Sequence, residues 1–178
     1  MSPDHYTPFA REVGMWLAGA STDGRVSAIS ADLTSAFPEK TYDQIELALF
    51  ELGYAGLVIL SGDVGPVHGR VRPTYRLFAV ADPIVTGNSP RRDAAMLARW
   101  MIDDASYGST RKLYNASGWS LRRFNPAMGQ LLKLFDEGSH GTVDGSDFPV
   151  ENVIIGDRQR FTLRRFVKES SETAKADA

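Results

Sequence analysis

The sequence predicts an α+β fold, mostly helical, in which two consecutive halves repeat one order of elements. Three observations predict it. Apolar residues recur at helical spacing in several segments, most of them opened by a capping residue. Runs rich in β-branched and aromatic residues, bounded by Gly and Pro, come late in each half. The helices of the two halves also overlay without internal gaps. The expected organisation is a first domain over 1–86, a second over 87–168 and a polar, disordered tail over 169–178, "ESSETAKADA".

In the first half, Phe9, Val13, Trp16, Leu17 and Ala20 form one face of a helix over Pro8–Ala20. A short extended piece, Arg25 to Ala28, follows, and Ser30 suits the N-cap of a short helix that runs to Phe37 and stops at Pro38. Thr41 with Gln44 is a capping-box pattern. It opens a third helix whose buried stripe is Ile45, Ala48, Leu49 and Leu52, with Gly53 at its C-terminal end. "GLVILS" and "TYRLFAVA" read as strands around the loop "GDVGPVHGRVRP". "TGNSP", Thr86 to Pro90, is the linker.

The second half starts with "DAAMLARWMIDDA", an amphipathic helix with Leu97, Trp100 and Met101 inside. "TRKLYNAS" is a short helix, "GW" a turn and Ser120 the next N-cap, while "DFPVENVII" and "RFTLRRFV" read as a closing β-pair turning at "GDR". Val13, Trp16 and Leu17 overlay on Leu97, Trp100 and Met101; Leu33 overlays on Leu113; Ile45, Ala48, Leu49 and Leu52 overlay on Phe124, Ala127, Met128 and Leu131. The offsets are 84, 80 and 79 positions, so only connecting loops differ in length. Pro126 admits two readings: Asn125 caps a helix with Pro126 at its first position, or the helix starts at Ser120 and Pro126 distorts its second turn. The overlay favours Ser120.

Composition narrows the function. The chain has 178 residues, a net charge of −2, 43% hydrophobic residues and no cysteine. Disulfides, thiol chemistry and zinc fingers are therefore excluded. No apolar run reaches the length of a membrane span, and the start "MSPDHYTPF" lacks the basic and apolar regions of a secretory signal, so a cytoplasmic protein is expected. His5, His68 and His140 have no metal-ligand spacing, and neither a phosphate-binding glycine loop nor a nucleophile–base arrangement is present. No catalytic role, metal or cofactor is expected. The sequence pI near 5.9 argues against a uniformly basic surface, so any nucleic-acid contact must be local.

The order of elements and the segment "LYNASGWSLRRFNPAMGQLL", a short helix, a glycine turn and a longer helix, resemble the winged-helix variant of helix-turn-helix domains, here in tandem. The resemblance implies a three-helix core with a β-hairpin wing in each half, and it implies double-stranded DNA as partner. The third helix of the first half carries Tyr42, Asp43, Gln44, Glu46 and Glu51 outward and would repel phosphate. Its counterpart carries Ser120, Arg122, Arg123, Asn125, Gln130 and Lys133, side chains suited to bases and phosphates. Arg111 and Lys112 open the short helix before it, His68, Arg70 and Arg72 belong to the first wing, and Arg158 and Arg160 to the tip of the second. The bland alternatives are solvated helix ends and hairpins, with Arg122 and Arg123 paired to Asp136 or Glu137. Trp16 and Trp100 are core anchors, and for Trp119 packing under the recognition helix is preferred to staying exposed in the turn. The rival function is a protein-interaction or scaffold module of the kleisin-binding type, with a protein partner or a second copy engaging the acidic first half.

Overall fold

The computed structural model describes residues 6–25, 33–61, 70–136, 139–141 and 146–176. The chain divides into two compact units: Met1–Thr22 with Val26–Gly87, and Asp23–Arg25 with Asn88–Ala178. Among the described residues it is mostly helical, with two separate two-stranded antiparallel sheets. The predicted extended piece after Arg25 and the predicted cap at Ser30 lie outside the described residues.

The first unit contains α1 (Pro8–Ala20), α2 (Leu33–Ala36), α3 (Tyr42–Tyr54), β1 (Val58–Ser61), β2 (Arg70–Pro73) and α4 (Tyr75–Val85). Thr7 caps α1 by accepting a hydrogen bond from the Ala10 amide, and Pro8 takes the first helical position, where its missing N–H costs nothing. The capping box of α3 is complete: the Thr41 hydroxyl accepts from the Gln44 amide and the Gln44 side chain accepts from the Thr41 amide. Ile45, Ala48, Leu49 and Leu52 are buried against Val13 and Leu17 of α1 and Leu77 and Phe78 of α4. The Phe9 and Phe37 rings meet edge to face with centroids 5.4 Å apart, and the Trp16 ring centre lies 6.2 Å from that of Phe37. The left-handed residue after α3 is Gly56 rather than Gly53, because the helix continues to Tyr54.

The expected closing strand "TYRLFAVA" is the helix α4. Thr74 decides this locally: its hydroxyl accepts from the Leu77 amide and bonds the carbonyls of Gly56 and Leu57. Leu77, Phe78 and Ala81 then fall on one buried helical stripe. β2 lies earlier, pairing Val58 with Pro73 and Ser61 with Arg70.

The second unit contains α5 (Pro90–Asp103), a 3₁₀ turn (Ala105–Gly108), α6 (Thr110–Ser117), α7 (Leu121–Leu132), β3 (His140–Gly141), β4 (Asn152–Val153) and α8 (Asp157–Ala176). Ser89 caps α5 and Pro90 takes its first position. Gly118, at φ 64°, ends α6 in the left-handed conformation that a Cβ disfavours. β3 and β4 pair His140 with Val153 and Gly141 with Asn152. The core joins Leu97 and Met101 of α5, Leu113 of α6, Phe124, Met128 and Leu131 of α7 and Leu163 and Phe166 of α8. Tyr114, Phe124 and Phe148 form a mutual ring cluster with centroids 5.2–5.8 Å apart.

The second closing strand is also corrected to helix. "RFTLRRFV" lies within α8, which buries Leu163 and Phe166, an i, i+3 pair that strand alternation would place on opposite faces. The same helix extends through most of the segment read as a tail. Each unit therefore follows the order helix, short helix, helix, two strands, helix, instead of ending in a hairpin.

Candidate interaction surfaces

α7 begins at Leu121 with Ser120 as N-cap, so Pro126 lies inside the helix. A proline there leaves the Arg122 carbonyl without its intrahelical donor. Gly24, at φ 68°, belongs to this unit and packs on that spot: a Cβ added to it would lie 2.9 Å from the Arg122 carbonyl oxygen and 2.6 Å from Pro126 Cδ. Only a glycine fits both the left-handed backbone and the close approach. The Asn125 amide donates to the carbonyls of Asp23 at 2.8 Å and Asp147 at 3.0 Å.

These contacts correct the assignment of Asn125. It is fully buried, and its side chain is a structural bridge rather than a base reader. Arg123 is also committed elsewhere. Its Nε and Nη2 donate to the two carboxylate oxygens of buried Asp93, at 2.8 and 2.7 Å, and its guanidinium stacks 4.1 Å from the Trp119 ring centre. The hydrogen bonds to Asp93, reinforced by its charge, raise the Arg123 pKa against the opposing effect of burial. Trp119 also faces Trp100 at 6.4 Å, so the turn tryptophan is packed as expected. All residues from Phe124 to Gly129 are buried, leaving α7 without an exposed central face for a DNA groove.

The remaining polar candidates are dispersed. Ser120 is exposed and makes no capping bond through its side chain. Arg122 and Gln130 are half-buried, and exposed Lys133 donates to Gln130 at 3.4 Å. Arg111 is exposed and sits 5.3 Å over the Phe148 ring. Lys112 bonds the Ser106 hydroxyl, lies 4.0 Å from Asp104 and covers Tyr107. The Asp104 carboxylate caps the 3₁₀ turn; hydrogen bonds from the Ser106 hydroxyl and amide, with the Lys112 charge, lower its pKa.

Arg158 and Arg160 lie on the first turns of α8, not at a wing tip, and Arg158 pairs with Asp136 at 3.2 Å. Arg164 and Arg165 are adjacent on the exposed side of that helix. Arg72 is exposed on β2 opposite Ile59, and Arg70 is the residue of β2 paired with Ser61. His68 lies outside the described residues.

A surface that the charge pattern concealed lies on α3. Leu47, Phe50 and Tyr54 are 59%, 54% and 97% exposed. They stand at i, i+3 and i+7, one helical stripe opposite the buried one. Exposed Asp43 and half-buried Glu46 flank it. The signal was present in the sequence as a second apolar stripe on a helix whose first stripe already filled the core. A separate apolar cavity of about 130 Å³ opens between α1 and α4 of the same unit, floored by Leu52 and Leu57.

No group of three or more potential metal ligands occurs among the described residues, and no helix there is long and apolar enough to cross a membrane. No family model, curated protein or solved structure matches the chain.

Proposed function

We propose that the chain is a protein-interaction module built from two tandem winged-helix units, with α3 of the first unit as its docking helix. The exposure of Leu47, Phe50 and Tyr54 on one stripe carries this reading. Isolated apolar residues on a surface are ordinary, but three aligned on one helix offer the anchors of helix-to-helix recognition. The flanking carboxylates of Asp43 and Glu46 select a partner helix that combines apolar anchors with Lys or Arg. The test places a photo-crosslinking residue at Phe50 in the full chain, with and without Leu47→Asp/Tyr54→Asp. A discrete protein adduct that the double substitution abolishes supports the reading. The same adducts from both chains would remove it.

A second reading, duplex DNA binding, is favoured by exposed Arg111, which has no ion pair among the described residues, and by the uncapped N-terminal end of α7 at Ser120. Lys112, Arg122, Lys133 and Arg72 would add phosphate contacts. Fluorescence anisotropy with mixed-sequence duplex at about 50 and 200 mM salt tests it, comparing the wild-type chain with Arg111→Ala/Arg122→Ala. Binding that falls with salt and with the double substitution favours DNA; absence of binding at low salt removes it.

A further inference from the structure

Two arginines on α5 face two serines on α8 across a cleft of about 350 Å³, lined by Arg92, Ala95, Met96, Arg99, Ser170 and Ser171. Arg92 and Arg99 stand two helical turns apart on one face, a rise of about 10.5 Å that two long side chains can close onto one ligand. Among the described residues neither guanidinium has an ion pair and no carboxylate lines the cleft. The serines differ. Ser171 donates to the Val167 carbonyl at 2.8 Å and accepts from Arg99 Nη2 at 3.3 Å. The Ser170 hydroxyl is buried and has no hydrogen-bond partner among the described residues. A helical serine can satisfy itself on the carbonyl four residues back, as Ser171 does, so the unpaired Ser170 hydroxyl marks a place for an external acceptor.

We infer that this cleft binds a small phosphate monoester, of sugar-phosphate or mononucleotide size. Two unneutralised guanidinium forks match the oxygens of a dianionic phosphate. The Ser170 hydroxyl supplies a further donor, and Ala95 with the half-exposed Met96 offers an apolar surface to the organic part. The volume lies at the small end of ligand sites, about 300–1,000 Å³. The site is independent of the α3 docking surface and stands whether or not that reading holds.

The experiment is isothermal titration of the full chain at low ionic strength with inorganic phosphate, ribose 5-phosphate, AMP, adenosine and a short DNA duplex. Wild type is compared with Arg92→Gln, Arg99→Gln, Ser170→Ala and, as a control for general surface charge, Arg165→Gln; circular dichroism verifies that each is folded. The expected result is saturable binding of a phosphate monoester, weakened about tenfold by Arg99→Gln or Arg92→Gln and severalfold by Ser170→Ala. Arg165→Gln and wild type should behave alike, and adenosine should not bind. The inference is overturned if no small phosphate saturates, if Arg165→Gln weakens binding as much as the cleft variants, if adenosine binds like AMP, or if only the duplex responds to the cleft substitutions.

Discussion

Arg123 and Asp93 show how a residue that suits one role chemically can be held in another by its neighbours. The Asp93 side chain is 5% exposed and that of Arg123 34%. Removing the arginine strands a buried carboxylate, whereas the pair satisfies both fork and oxygens. Arg123→Ala is expected to lower unfolding stability by about 3 kcal/mol, the low end for breaking a buried pair because the arginine is partly solvated. Arg123→Lys should recover less than half, since an ammonium cannot reproduce the two-point fork or the stacking on Trp119; urea unfolding of the three chains checks both. An Arg122→Ala/Arg123→Ala double variant would accordingly confuse lost folding with lost binding. At Asp104 the sign is set by a pKa lowered below the ordinary 3.8. The capped turn is stabilised above that pH, and the stabilisation is lost as pH falls through the folded pKa. An NMR titration should place the Asp104 carboxyl midpoint below 3.8; a midpoint at or above it would contradict the capping geometry.

Element by element, local chemistry that acts within four residues was readable. The bounds of α1 and the capping box of α3 follow from proline placement and caps, whereas Ser89 and Pro90, expected in the linker, cap and open α5. The segments of α4 and α8 suit a strand as well as a helix because short apolar runs satisfy both periods, and Thr74 as a cap is the local discriminator for α4. The partner of Arg123 was not legible, because Asp93 lies 30 residues away, while nearby Asp136 is taken by Arg158. Pro126 inside α7 was legible only through the overlay with α3; what accommodates it, Gly24, is about a hundred residues distant in sequence. Gly24→Ala should therefore lower stability by about 2 kcal/mol or more, from left-handed strain and the clash with Pro126 together. If thermal unfolding shows Gly24→Ala equal to wild type, the packing of Asp23–Arg25 on α7 is wrong.

Over the whole molecule, the repeat read from Ile45, Ala48, Leu49 and Leu52 against Phe124, Ala127, Met128 and Leu131 corresponds to four buried residues on α3 and four on α7. The two units differ on their outsides. α7 has its central residues enclosed, while α3 keeps an apolar stripe exposed. The bulk charge of −2 could not reveal that difference, because exposure depends on what packs over each helix. The central claim, that α3 rather than α7 meets the partner, is tested most directly by photo-crosslinking from Phe50 in cells, with a matched probe at Lys133 on the exposed end of α7. The account predicts a discrete protein adduct from Phe50 that Leu47→Asp/Tyr54→Asp abolishes while leaving stability within about 0.5 kcal/mol of wild type. Nucleic acid captured from Lys133, with nothing captured from Phe50, would contradict it.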